Sequence, residues 1–338
     1  MTVLVGPGGL GPAERDEPAE PGVERRTELR AVRAGPGPAV AGRASAASAS
    51  VLLRAVRPRQ WVKNVLVLAA PCAAGVVLHP PVVLACVLAL VSFTCGASGC
   101  YLINDVVDRR LDRAHPRKRE RPVASGALAV PVALAVAGVL LLVGVGVAAA
   151  QGTPLLVVLV TYLALTLSYA LVLKRLVWLE LAVVAVGFVL RAFAGALAAG
   201  VVVSTSFLLV VSSAAVLVVA SKRASEQLEV PGDPGTVRPV LRRYRPGDLR
   251  LARRVAAAVL VVSYLAWAAF RPTGLGTALA VLSAVPLVVV VLRWLGQTER
   301  GRTGAPETAI TKDRVSRVGV GVWAVIFTAT VLVAAASG

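Results

Sequence analysis

The sequence predicts an all-α, polytopic membrane protein with about nine transmembrane helices. Three observations lead there. Hydrophobic residues make up 57% of the 338-residue chain and charged residues 16%, with a mean hydropathy of +0.77, whereas a soluble domain is about half apolar and about a quarter charged. The apolar excess is gathered in long Val/Leu/Ala runs instead of short amphipathic stripes. The basic residues concentrate in every second loop.

The elements follow in chain order. Residues 1–50 are rich in Pro, Gly, Ala, Glu and Arg, and their six basic residues are balanced by six acidic ones. No basic stretch precedes an apolar core, so this segment reads as a disordered tail and not as a signal peptide. Residues 51–338 read as one transmembrane domain. Spans are expected near 61–79, 81–103, 127–149, 154–173, 177–199, 203–221, 255–271, 274–292 and 318–336, each near the length a bilayer requires. The first is the weakest, because it contains Pro71 and begins with Lys63 and Asn64.

Charge orients the spans. Basic residues precede span one, then recur from Arg109 to Arg121, at Lys174 and Arg175, from Lys222 to Arg254, and from Arg293 to Arg317. The loops between are short and nearly chargeless; only Arg191 and Arg271 fall outside the pattern. This arrangement predicts a multi-pass protein of the inner (plasma) membrane, N-terminus cytoplasmic and C-terminus extracytoplasmic. The pI of 11.1 then belongs to loops at a membrane face. Anionic membrane lipid and phosphorylated substrates are the expected partners, and nucleic acid is not. Self-association into a homo-oligomer is left open. Cys72, Cys86, Cys95 and Cys100 lie in apolar runs with no CxxC spacing and read as small buried residues. Trp61, Trp178, Trp294 and Trp323 fall mostly at span ends and read as interface anchors.

The most informative stretch runs from Tyr101 to Asp112, Y-L-I-N-D-V-V-D-R-R-L-D. It ends span two and enters the first large basic loop. On a helix Asp105, Asp108 and Asp112 fall within roughly 60° of arc, with Asn104 beside Asp108. Like charges on one face repel, and a helix C-terminus is the wrong end for anions. Both penalties call for a cation. Mg²⁺ suits them, since it takes oxygen ligands and commonly shares one or two carboxylates with a substrate's phosphates. Lys118, Arg119 and Arg121 follow at once and could hold the remaining phosphate oxygens. Arg191, inside the fifth span, is a functional candidate or an interhelical anchor. Glu180 lies on the same helix face but about 16 Å along the axis, too far to pair with it. Gly187 and Gly195 read as close-packing positions.

At the N-D-x-x-D-x-x-x-D motif the chain resembles the UbiA-type intramembrane prenyltransferase superfamily, over roughly residues 50–338. The resemblance implies a nine-helix bundle around a central cavity open to the cytoplasmic side, with Asp105, Asp108 and Asp112 as Mg²⁺ ligands. Further stretches resemble the decaprenyl-phosphate phosphoribosyltransferase subgroup: Arg57-Pro-Arg-Gln-Trp-Val-Lys-Asn64, Arg121-Pro-Val-Ala-Ser-Gly126, Tyr169 with Lys174, Gly187-Phe-Val-Leu-Arg-Ala-Phe-Ala-Gly195, Ser221-Lys-Arg-Ala-Ser-Glu226 and Arg238-Pro-Val-Leu-Arg-Arg-Tyr244. That subgroup implies transfer of the 5-phosphoribosyl unit of phosphoribosyl diphosphate to a polyprenyl (decaprenyl) phosphate, with loss of diphosphate. In actinobacteria such a product feeds cell-wall arabinan synthesis.

The superfamily's second acidic motif, DxxxD after span six, is replaced here by Ser-Lys-Arg-Ala-Ser-Glu, with Lys222 and Arg223. A basic pair suits a phosphate better than a second metal. Lys63, Lys118, Arg119 and Arg121 are therefore expected at the diphosphate or lipid phosphate, and Lys174, Lys222 and Arg223 at the 5-phosphate and the acceptor. Asn104, Tyr169, Glu180 and Arg191 complete the expected substrate-binding set. At Glu180 the subgroup leads one to expect Asp. Two other readings compete: ordinary prenyl transfer to an aromatic or other acceptor, and transport or lipid flipping. The missing second acidic motif argues against the former, and the scarcity of intramembrane charge against the latter.

Overall fold

The computed structural model describes residues 48–115, 118–228, 239–245, 247–270, 274–300 and 313–337. The expected tail, residues 1–50, lies almost wholly outside them, as does Arg238. Every regular element among the described residues is a helix. In order these are α1 (Ala49–Ala55), a 3-10 segment (Pro58–Leu68), α2 (Ala69–Ala74), α3 (Pro80–Val107), α4 (Arg109–Ala114), a 3-10 turn (Lys118–Glu120), α5 (Pro122–Ser125), α6 (Val130–Gln151), α7 (Thr153–Leu171) and a 3-10 turn (Leu173–Arg175). Then come α8 (Leu179–Ala198), α9 (Thr205–Leu228), a 3-10 turn (Pro239–Arg243), α10 (Asp248–Ala269), α11 (Leu275–Glu299) and α12 (Arg314–Ser337).

Eight helices, α3 and α6 through α12, are long and apolar enough to cross a membrane. The remaining expected span, 61–79, is not one helix but the 3-10 segment followed by α2. Pro58 and Pro71 remove backbone donors there. The segment runs antiparallel to α3: Arg57 reaches Asp105, Trp61 donates to Ser98 Oγ at 3.1 Å, and Asn64 donates to Thr94 Oγ1 at 3.0 Å. A 3-10 helix rises about 2.0 Å per residue against about 1.5 Å for an α-helix. The stretched form lets a few residues keep pace with a longer run of α3.

Helix ends overrun the expected spans by about two turns at the C-terminus of α9 and α11 and the N-terminus of α10. Hydrophobicity marks the apolar part of a span, while the helix continues beyond it and carries Lys222, Arg223 and Arg253 on its polar end.

Packing in lipid relies on close contact and polar bonds, because hydrocarbon tails are as apolar as the helices. Val67, Phe93, Leu159, Tyr162 and Ala194 form one buried cluster joining the 3-10 segment to α3, α7 and α8. Its closest approach is at Gly195, where an added Cβ would stand 1.6 Å from the Val67 carbonyl oxygen. At Gly187 an added Cβ would meet only ordinary contacts, the nearest at 3.6 Å. Leu217, Ala256, Leu260, Val291 and Trp294 join α9, α10 and α11. Trp294 is buried and donates to Ser221 Oγ at 2.9 Å, so it is an interior tie and not the interface anchor expected of it. All four cysteines are unpaired thiols, Cys86 and Cys100 buried.

Candidate active site

The carboxylate cluster is built where α3 ends. The helix reaches Val107, Asp108 breaks its regularity at φ −86° and ψ 2°, and α4 resumes at Arg109. Hydrogen bonds from the Asp108 amide to the Asn104 carbonyl (2.9 Å) and from the Asp112 amide to the Asp108 carbonyl (2.8 Å) carry the helical ladder through the break. Seven residues are close to two helical turns, so Asp105 and Asp112 face the same side about 10 Å apart along the axis. Both are buried, at 2% and 3% exposure.

Three basic side chains neutralise these acids. Arg121 Nη1 donates to Asp105 Oδ1 at 3.1 Å and to Asp112 Oδ2 at 2.7 Å. Arg57 Nη2 donates to the same Asp105 oxygen and stacks on the Tyr101 ring, 5.3 Å from its centroid. Lys174, on the turn after α7, donates to Asp108 Oδ1 at 2.6 Å. Arg57 adopts left-handed backbone angles, φ 55° and ψ 64°, which cost a non-glycine residue roughly 1–2 kcal/mol and are concentrated at functional positions.

The in-phase expectation thus holds for Asp105 and Asp112, which share Arg121, while Asp108 turns to Lys174. The compensating cation that the sequence called for is supplied, in this arrangement, by side chains from other segments. Among the described residues no three His, Cys, Asp or Glu side chains stand close enough to hold one ion together. The donor set still suits a hard dication: two buried carboxylates converge on one arginine, Arg121, and magnesium asks for one or two carboxylates before phosphates complete its shell.

A second cluster lies where α8, α9 and the 239–243 turn meet. Glu180 is fully buried and accepts Arg223 Nε at 2.7 and 3.0 Å and the Tyr244 hydroxyl at 3.2 Å. Arg223 also donates to Glu226 at 2.8 Å and to the Tyr169 hydroxyl at 3.5 Å. Burial, and then the Glu180 charge, push the Tyr244 phenol up to about 12, so it stays protonated and donates. Arg223 is thereby committed to carboxylates, not presented to a phosphate as expected. Lys222 beside it is exposed.

Arg191 is held apart from both clusters. Its guanidinium donates to Asn64 Oδ1 at 2.7 Å, the Tyr162 hydroxyl at 2.7 Å and the Gly187 carbonyl at 2.6 Å, and lies 4.6 Å from the Tyr162 ring centroid. It ties α8 to the 3-10 segment and to α7, and it does not pair with Glu180. Lys63 is half-buried one residue before Asn64, and Asn104 is half-buried at the end of α3. Lys118 and Arg119 sit on a 3-10 turn between α4 and α5. Arg119 is exposed, and the Lys118 amide donates to His115 Nδ1 at 3.4 Å. Sequence reasoning gave no role to Arg57, Asn64, Glu226 or Tyr244. All four lie in stretches that carried the family resemblance, which was the available signal.

The model of the UbiA prenyltransferase family matches residues 65–312. The chain is 37% identical over 279 residues to the decaprenyl-phosphate phosphoribosyltransferase of Corynebacterium glutamicum, covering 80% of this chain and 84% of that one. It is 38% identical over 276 residues to the protein of the same name from Mycobacterium tuberculosis, covering 80% and 91%. Its fold is similar to that of a UbiA homolog from Archaeoglobus fulgidus bound to GPP and Mg²⁺, with a TM-score of 0.62, 18% identity, and coverage of 83% of this chain and 99% of that one. Bundle, motif and relatives converge, and the chain belongs to the UbiA prenyltransferase family.

Proposed function

We propose that this chain transfers the 5-phosphoribosyl group of phosphoribosyl diphosphate to a polyprenyl phosphate, decaprenyl phosphate in the first instance, and releases diphosphate. The observation that carries the reading is the collocation of three carboxylates with three bases at the end of α3. The acids suit a divalent ion and the bases suit the phosphates it accompanies. The identity of donor and acceptor rests on the two similar phosphoribosyltransferases. The basic end of the bundle faces the cytoplasm of a plasma membrane in this proposal, so a water-soluble donor and a lipid acceptor meet at the inner leaflet. The product is a precursor for cell-wall arabinan.

Asp105 and Asp112 would hold magnesium, with Asp108 as a further ligand or a ligand of a second ion. When bound, the ion would neutralise charge on the leaving diphosphate. The chain's own residues do the rest. Arg57, Arg121 and Lys174 take phosphate oxygens, and Lys63, Lys118, Arg119 and Lys222 add positive charge around three anionic groups. The bond from C1 to the diphosphate oxygen breaks with its electron pair leaving on diphosphate. An oxygen of the lipid phosphate forms the new bond to C1 from the opposite face, with inversion. A phosphate is already anionic at neutral pH, so no strong general base is needed. Positioning and electrostatics carry the rate. Arg223, Glu180, Tyr169 and Tyr244 position the α8–α9 end, and Arg191 fixes the 3-10 segment that presents Arg57 and Lys63.

Purified protein, Mg²⁺, labelled phosphoribosyl diphosphate and a polyprenyl phosphate should give a phosphoribosyl lipid of the expected mass. Asp105→Asn and Asp108→Asn should insert normally and lose that product. Full activity in both variants, or transfer only from a labelled prenyl diphosphate, would overturn the assignment.

A further inference from the structure

We infer that Arg57 is a switching counter-ion, which holds Asp105 until a divalent ion arrives with a diphosphate and then passes from the carboxylate to the phosphate. This rests on the diphosphate-binding part of the proposed function and extends it. The acids and bases of the cluster are layered. Asp105 and Asp112 side chains are 2% and 4% exposed, while Arg57 and Arg121 are 23% and 26% exposed. The bases can therefore trade partners at the surface, but the acids cannot be left alone without a large penalty.

That layering makes metal and diphosphate depend on each other. Diphosphate alone would draw the bases away and leave buried carboxylates uncompensated beside its own negative charge. A metal alone would displace bases that have no anion to receive them. Arriving together, the metal satisfies the carboxylates and the phosphates satisfy the bases. Such coupling is reciprocal by thermodynamic necessity.

Arg57 is the member placed to move. Asp105 Oδ1 accepts from both Arg57 and Arg121, so it keeps a partner when Arg57 leaves. The contact of Arg57 with Tyr101 is a ring-face contact, which tolerates sliding. Its backbone is held, the amide donating to the Arg54 carbonyl at 3.3 Å and the carbonyl accepting from the Gln60 amide at 2.9 Å, so the exchange needs the side chain alone to move.

The test uses the full chain in detergent and two probes. Mn²⁺, which takes the same oxygen donors as Mg²⁺, is titrated alone and its free concentration read by paramagnetic resonance. Preformed magnesium–inorganic diphosphate is titrated separately by calorimetry. Arg57→Gln should bind Mn²⁺ about fivefold more tightly than the parent, and magnesium–diphosphate at least about fivefold more weakly. A merely structural arginine would weaken both or neither. Arg57→Lys should show the same crossing at smaller size, and it decides the matter if Arg57→Gln does not fold. Mn²⁺ binding that is unchanged or weaker in the folded variants overturns the switch. Neither ribose nor lipid is present, so that failure leaves the phosphoribosyl reading standing. Conversely, a crossing without phosphoribosyl transfer removes the reading and keeps the switch.

Discussion

The two charged clusters at the basic end of the bundle contain the same chemistry and are built oppositely. At Asp105 and Asp112 the acids are buried while their arginines reach the surface. At Glu180 the acid and Arg223 are both sealed, at 0% and 4% side-chain exposure. A buried pair without water has nowhere to exchange, so it fastens helices; a pair with one wet partner can be taken over by a ligand. Exposure of the cation, not the number of salt bridges, separates a fastening from a binding site.

The two clusters should respond differently to substitution. The largest stability loss should come from splitting the sealed pair. Glu180→Leu or Arg223→Leu leaves an uncompensated buried charge and should cost about 3–5 kcal/mol in detergent unfolding, while the double replacement recovers much of it. Equal losses in single and double variants would show that the pair does not act as a unit. Asp105→Asn should do the reverse. Its arginines can turn to water, so the unfolding midpoint stays near the parent's while transfer falls roughly 10²–10³-fold, as when a preorganised electrostatic group is removed. Gly195→Ala tests the frame beneath both clusters. The Val67 carbonyl is backbone and cannot rotate away, so about 1–3 kcal/mol of stability should be lost, with activity falling alongside. Lys174→Gln comes next. Its partner Asp108 is 19% exposed, so stability should change by less than about 1 kcal/mol while the KM for phosphoribosyl diphosphate rises. Smallest of all, Arg254→Gln removes an exposed pair with Glu299, 61% and 40% exposed, and should leave both the unfolding midpoint and the rate unchanged.

Part of the candidate site is legible in the sequence. The motif from Asn104 to Asp112 is local, so helical period put Asp105 and Asp112 on one face, and Arg121 joins them. The replaced second acidic motif drew attention to Lys222 and Arg223, yet their division of labour was not legible, because Arg223 meets Glu180 from 43 residues away. The first expected span is two helical pieces instead of one, since hydropathy counts residues and does not see that prolines and a stretched 3-10 path can cover the distance with fewer α-helical turns.

Composition, period and loop charge determined by themselves that this chain threads a membrane repeatedly, which loops cluster their basic residues together, and where its carboxylates gather. These are properties of short windows, decided by transfer into lipid and by helical geometry. Only the tertiary structure decided which base answers which acid. Arg57 reaches Asp105 across 48 residues, Lys174 reaches Asp108 across 66, and Arg191 reaches Asn64 across 127. Such pairs are chosen by how helices cross and by which side chains keep contact with water, and neither is written in any local stretch of sequence.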